Sequence, residues 1–219
     1  MKTAIIFGST GLIGNELFKT ILLNNSYDKI KVFVRSIPEM NNPKVEIIKT
    51  DFNNLERYKD KIKGDDCFFC IGTTKKDTPD KDEYRRIEYK IPVDVAKIAK
   101  ANSVNSFFYI SSIGANQNAS SNYLKNKGQV EEELKNLNFS KLAIIRPSLL
   151  VGDRKSFRLG EIILTPIMNT LTIFAFGSLK KYKPIKIKNV VKAALYISKN
   201  KSKEIIFESD ELERIAKSN

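Results

Sequence analysis

Three glycines at intervals of three, Gly8, Gly11 and Gly14, directly follow a short apolar run, and no other feature constrains this chain as much. The run Thr3-Ala4-Ile5-Ile6-Phe7 is β-branched and aromatic, the composition of a buried strand. Beyond the turn, Leu12, Ile13, Leu17, Ile21 and Leu22 recur at helical spacing. A strand, a G-x-x-G-x-x-G turn and a helix in that order form a variant of the dinucleotide-binding fingerprint. Gly8 serves the tight turn, Gly11 the approach of backbone to a pyrophosphate, and Gly14 the close packing of helix on strand. Ser9, Thr10, Leu12 and Ile13 complete the turn and the helix start, where unpaired N–H groups and the positive dipole end face an anion.

Further strands follow at intervals typical of alternating β and α units. Ile30-Lys31-Val32-Phe33-Val34 ends at Arg35-Ser36. An NAD-specific site places an acid about 20 residues after the glycines, to bind the ribose 2′-hydroxyl. Arg35 stands there instead, and an arginine suits a 2′-phosphate, so NADP(H) is favoured over NAD(H). Val45-Glu46-Ile47-Ile48 leads to Asp51 and Phe52, read as partners of the adenine amino group and ring; Asp51 equally suits a helix N-cap. Asp66 to Ile71 is a fourth strand, and Ile71, Gly72 and Thr73 bring backbone to the cofactor. Cys67 and Cys70 lie three apart in this strand and so on opposite faces, which rejects a redox or metal reading of the C-x-x-C. A long helix runs through Tyr84, Ile87, Ile91, Val95, Ile98 and Ala99, with Pro92 expected to kink it. Ser106-Phe107-Phe108-Tyr109-Ile110 is the fifth strand and Leu142-Ala143-Ile144-Ile145 the sixth.

Composition narrows the chemistry. The chain has no His, which removes Ser-His-Asp and Cys-His triads and most catalytic zinc sites, so no metal is assigned. Two Cys and a strand-like start directly after Met1-Lys2 read as a cytoplasmic protein. The net charge of +13 comes mainly from Lys, which is scattered; no nucleic-acid motif accompanies it, so no nucleic-acid partner is expected.

Tyr123 and Lys127 form a Y-x-x-x-K just after the strand that ends in Ser111-Ser112. On a helix, positions i and i+4 share a face, so the Lys ammonium can sit beside the phenol and favour its ionised form. Ser112 can hold a substrate carbonyl near that phenol. Two other pairs with this spacing, Tyr27 with Lys31 and Tyr182 with Lys186, lack the context.

With these residues the chain resembles the short-chain dehydrogenase/reductase superfamily, and more narrowly its atypical members of the Tat-interacting oxidoreductase type. The likeness extends over Cys70-Ile71-Gly72-Thr73-Thr74, Ser111-Ser112-Ile113-Gly114-Ala115, Tyr123 to Glu131, Arg146-Pro147 and Asp153-Arg154. The resemblance implies a Rossmann-like domain and a nicotinamide dinucleotide. It implies Tyr123 as general acid/base, Lys127 on the nicotinamide ribose, and Ser112 orienting the substrate. Pro147 to Leu150, Leu149 included, would line the nicotinamide side. Many members add a catalytic Asn on the helix before the Ser strand; the comparable helix here offers Glu88-Tyr89-Lys90.

From Ile162 to Leu179 there is no charged residue, yet Pro166, Asn169 and Gly177 interrupt the run, so no membrane span is expected. A pocket wall, packing under the sheet or a subunit contact suits it, which leaves a homodimer open. Pro184 to Ile187 reads as an edge strand, Val190 to Leu195 as a helix, Lys203 to Phe207 as a last strand, and Asp210 as the cap of a closing helix. The expectation is one domain over residues 1–219: α/β, a Rossmann-like doubly wound parallel sheet with helices on both faces and a small C-terminal substrate part from about residue 150. The function expected is NADP(H)-dependent oxidation or reduction of a small-molecule alcohol or carbonyl. The alternative is an NADPH-binding sensor or interaction protein without turnover.

Overall fold

The computed structural model describes residues 2–152 and 177–218. The expected roles of the uncharged segment, and the match at Asp153-Arg154, fall wholly or mostly outside the described residues. The strands are β1 (Thr3–Phe7), β2 (Lys29–Val34), β3 (Val45–Lys49), β4 (Asp66–Phe69), β5 (Ser106–Ile110), β6 (Lys141–Arg146), β7 (Leu150–Val151), β8 (Ile185–Lys186) and β9 (Ile206–Glu208). The helices are α1 (Leu12–Leu23), α2 (Lys81–Arg85), α3 (Ile91–Ala101), α4 (Asn122–Asn136), α5 (Ile187–Lys199) and α6 (Ser209–Lys217). Seven strands form one sheet in the order β3-β2-β1-β4-β5-β6-β9, and every pairing in it is parallel.

Residue alternation explains why both faces are covered. The cross-strand row Val32, Ile6, Phe68, Phe108 and Ala143 is in register and points to one face. There it packs with Leu17 and Ile21 of α1, Val190 and Ala194 of α5, and Leu212 of α6. The next row, Phe33, Phe7, Phe69, Tyr109 and Ile144, points to the other. It meets Val95 and Ala99 of α3 and Val130 and Leu134 of α4. Rings stack within each row, Phe68 on Phe108 at 4.6 Å and Phe7 on Phe33 at 4.4 Å. A parallel sheet buried on both faces requires such near-continuous apolar strands. Cys67 and Cys70 fall to opposite sides, as their spacing requires.

Several elements depart from the sequence reading. Pro92 does not kink a plain helix. A π turn, Arg86–Lys90, stands between α2 and α3, and Pro92 falls in the first turn of α3. The wider turn accommodates a residue that brings no backbone N–H. The edge strand expected at 184–187 shrinks to β8, which pairs with β7 in a separate two-stranded sheet, and Ile187 already begins α5. The last strand is shifted to Ile206–Glu208 because its core contact is Phe207. Asp210 does not cap α6; Glu208 holds the N-cap position and Asp210 lies in the first turn, where its charge still opposes the dipole favourably.

The chain order reverses direction between β1 and β4, opening a crevice at the carboxyl edge of the sheet. The turn into α1 sits there. Gly8 has φ +86°, and a Cβ on Gly14 would lie 2.1 Å from the Gly8 carbonyl oxygen, so α1 can approach the strand only with no side chain at position 14. Gly14→Ala should therefore lower the unfolding free energy by at least ~2 kcal/mol in urea denaturation. Gly11→Ala, whose methyl would meet nothing nearer than 3.4 Å, should cost under ~1 kcal/mol in the same assay.

Candidate functional site

The crevice opens into a cleft of about 500 Å³. The segments leaving the ends of β1 to β6 build its walls. Gly8, Ser9, Thr10, Gly11, Leu12 and Ile13 line it, as do Arg35, Asp51, Phe52, Ile71, Gly72, Thr73, Ser112, Tyr123, Lys127, Pro147 and Leu149. Gly14 is not on the surface of the cleft; it lies behind the turn, against Gly8.

At one end, Gly11 occupies the N-cap position of α1. No side chain caps this helix and no acid lies in its first turn, so its N–H groups and dipole face the cleft uncompensated. A Cβ on Gly11 would meet no protein atom closer than 3.4 Å, so the fold itself does not require glycine there. Arg35 is exposed just beyond β2. Asp51 is also exposed; its carboxylate accepts the Asn53 backbone N–H at 2.9 Å, which holds it below the usual carboxylate range. That bond makes an Asx turn, and Asp51 does not cap the following 3-10 turn, whose N-cap is Asn54. Phe52 adopts φ +61° and turns its ring into the core beside Phe7, leaving its carbonyl to accept from Arg86 at 3.1 Å. Arg86 also grips Glu83 through two hydrogen bonds of 2.6 and 2.8 Å. The Arg86 guanidinium, with Arg35 beyond it, keeps the Glu83 carboxyl below its ordinary value.

At the other end, Tyr123 lies in the first turn of α4 and Lys127 follows one turn later, nearly fully buried. Lys127 Nζ donates to the Ile110 carbonyl at 3.1 Å and lies 5.8 Å from the Tyr123 ring centroid. Burial raises the Tyr123 phenol above its ordinary value. Lys127 and the neighbouring Ser112 hydroxyl pull the other way, and Glu88 adds to the rise. Helix α4 is held to the sheet by a third residue of the same face, Glu131. Its carboxylate accepts from the Ser111 hydroxyl at 2.5 Å and from the Arg146 guanidinium, with Nε at 2.9 Å and Nη2 closer still. Ser111 leaves β5 and Arg146 closes β6, so one buried carboxylate fixes the helix to two strand ends at once.

The sequence reading named neither Glu88 nor Arg86 as a site residue, and both line the cleft. The signal for Glu88 was present. It falls four residues after Tyr84 and three before Ile91, on a helical face otherwise apolar, where a carboxylate is out of place unless partnered. Arg86 carried no signal, because its placement depends on the π turn.

A parallel sheet whose reversal point opens on an uncapped helix and a glycine turn defines the class: a Rossmann-type dinucleotide-binding domain. The chain belongs to the NAD(P)H-binding family, whose pattern it matches over residues 8–161. Among named proteins it is similar to FMP52-1 of Scheffersomyces stipitis, 34% identical over 157 residues that cover 70% of each chain. It is likewise similar to HTATIP2 of Rattus norvegicus, 33% identical over 73% of this chain and 67% of that protein. In fold it matches the UDP-glucose 4-epimerase of Thermotoga maritima, with a TM-score of 0.69 and 15% identity, over 99% of this chain and 82% of the epimerase.

These relatives correct one expectation. FMP52 proteins of Scheffersomyces stipitis, Candida glabrata and Debaryomyces hansenii are named as mitochondrial, which overturns the cytoplasmic placement. A strand starting at Thr3 is what the sheet requires, and it carries no information about compartment. No helix among the described residues is long and apolar enough to cross a membrane.

Removing the Arg146 guanidinium would strand Glu131 as a buried charge. Arg146→Ala should destabilise the protein by about 3 kcal/mol, measured by urea unfolding, because an unpaired buried ion costs more than a lost surface pair.

Proposed function

We propose that this protein is an NADP(H)-dependent oxidoreductase of the short-chain dehydrogenase type that interconverts a carbonyl and an alcohol on a small molecule. The observation that carries the reading is the meeting of Ser112, Tyr123 and Lys127 in the same cleft as the glycine turn and Arg35. The residues present fit a dinucleotide. Gly11 leaves room that no protein atom fills, the start of α1 offers uncapped N–H groups, and Arg35 is exposed at the end of β2. When bound, the nicotinamide supplies or accepts the hydride.

The chain's own residues would do the rest. Ser112 would donate to the substrate oxygen and hold it beside Tyr123. Because burial keeps the Tyr123 phenol above the usual tyrosine range, it is protonated at neutral pH and ready to give its proton to a carbonyl oxygen. In the opposite direction the phenolate must take the alcohol proton, so oxidation should accelerate as pH rises toward that raised value, whereas reduction should fall there. Lys127, ammonium-bearing and fixed one turn along the helix, would steady the phenolate and meet the ribose beside it. Arg35, with Arg86 next to it, would receive the 2′-phosphate.

Tyr123→Phe should abolish consumption of NADPH with a panel of carbonyl substrates while leaving NADPH affinity within about threefold, because the phenol oxygen serves the proton transfer. Wild-type turnover by the variant would remove the catalytic role, and NADPH binding without any consumption by the wild type would favour the sensing role. By calorimetric titration, Arg35→Ala should weaken NADPH about ten- to a hundredfold and leave NADH unchanged, the signature of one lost charge-assisted phosphate contact. Equal losses for both nucleotides would remove the 2′-phosphate assignment.

A further inference from the structure

Glu88 is 1% exposed and sits in the π turn Arg86–Lys90. Its Oε1 accepts the Thr73 backbone N–H at 2.5 Å, and its Oε2 lies 3.1 Å from Lys127 Nζ. The carboxylate thus joins the loop after β4 to α4, both of which line the cleft. Resting on the oxidoreductase reading above, we propose that Glu88 is the positioning residue of the Ser112–Tyr123–Lys127 site: its carboxylate is the fixed counter-ion that keeps Lys127 charged and aimed between Tyr123 and the cleft.

Electrostatics supports the assignment. An ammonium as buried as that of Lys127 would shed its proton if its sole partner were the Ile110 carbonyl. Burial alone would lower Lys127; Glu88, with Tyr109 and Tyr123, outweighs burial and holds it well above its ordinary value. The titratable groups facing the pair are Tyr84 of α2, Cys70 at the end of β4, Tyr109 of β5 and Tyr123 of α4. Each is uncharged at neutral pH, and burial raises it further, Cys70 being pushed up to about 12. Glu88 and Lys127 are therefore the charges that Tyr123 senses at close range, and they oppose each other. With the carboxylate gone, both Lys127 and Tyr123 hold their protons less firmly, so the pair must release its first proton at lower pH whichever atom gives it up.

Glu88→Gln keeps the shape and an acceptor for the Thr73 N–H while deleting the charge. The protein, labelled with ¹³C at Tyr Cζ and Lys Cε, is titrated by NMR without nucleotide. The two signals are assigned by their loss in Tyr123→Phe and Lys127→Met. The first ionisation of the pair should fall by at least about one pH unit in Glu88→Gln, a tenfold change in its dissociation constant. In Glu88→Asp, which retains the charge, it should stay within about half a unit of wild type. An unchanged midpoint in Glu88→Gln, or an equal fall in Glu88→Asp, overturns the proposal. Should Glu88→Gln fail to fold, the double variant Glu88→Gln/Lys127→Met leaves no unpaired buried ion. Tyr123 must then ionise at lower pH in it than in Lys127→Met alone, and equal midpoints overturn the proposal. NADPH titration of the wild type separates the two readings. No binding sinks the oxidoreductase assignment, whereas binding with an unmoved ionisation sinks the role of Glu88.

Discussion

The close approach of α1 to the end of β1 is the constraint on which the cleft depends. The helix can start at the crevice between β1 and β4 only because position 14 carries no side chain and position 8 can take a positive φ. A methyl at either place would run into backbone, of Gly8 in one case and of the segment Cys70–Ile71 in the other. Those contacts bring the first turn of α1, the end of β4 and Gly72 into one corner. The rest of the sheet then adds its strand ends around that corner in spatial order, which is why residues as distant in sequence as Arg35, Thr73, Ser112 and Pro147 share a wall.

Helix α4 faces a different problem. It must present Tyr123 to the cleft while carrying Lys127 and Glu131 on the same buried face, and burying charges costs free energy unless each is matched. Both are matched by residues from other elements, Lys127 by Glu88 and Glu131 by Arg146. The two pairs therefore act as locators. One fixes the helix to the strand ends through Ser111 and Arg146, and the other fixes it to the π turn. Val130 and Leu134 pack the helix against the sheet, and the two matched pairs add fixed points at the strand ends and at the π turn.

Much of this could be read from the sequence where a feature has a local cause. The strands were legible because a sheet buried on both faces imposes unbroken apolar runs, and Gly8 and Gly14 because no other residue fits their backbone surroundings. Tyr123 and Lys127 stood out from two decoys with the same spacing by their position after Ser111-Ser112. The features that escaped have causes distant in sequence. Glu88 was visible as an odd carboxylate on an apolar face, but its partner lies 39 residues away (127 − 88) on a helix whose packing had first to be known. The π turn ahead of Pro92 depends on where α2 and α3 meet the sheet, and β8 exists only because β7 lies beside it. Phe52, read from its place after a strand as a partner of the adenine ring, lines the cleft, but the positive φ that turns its ring toward Phe7 and leaves its carbonyl to hold Arg86 has no local signal.

The layout of charge along the cleft gives the last step. The end near β2 and β3 carries Arg35 and Arg86 together with Asp51 and Glu83, the latter held in the fork of Arg86. The middle is a glycine turn whose N–H groups carry partial positive charge and no formal one. The far end holds Lys127, but Glu88 cancels its charge at a distance of 3.1 Å. Formal charge is thus matched toward both ends, Arg35 and Arg86 with Glu83 and Asp51 at one and Lys127 with Glu88 at the other, although the chain as a whole is strongly basic. The uncapped start of α1, with no acid in its first turn, is the positive feature between them that no carboxylate answers, and a ligand with its anionic groups there and an uncharged reacting group toward Tyr123 would match that layout. A uniformly polyanionic ligand would not, because the Glu88 carboxylate stands beside the one cation that α4 brings to the tyrosine end.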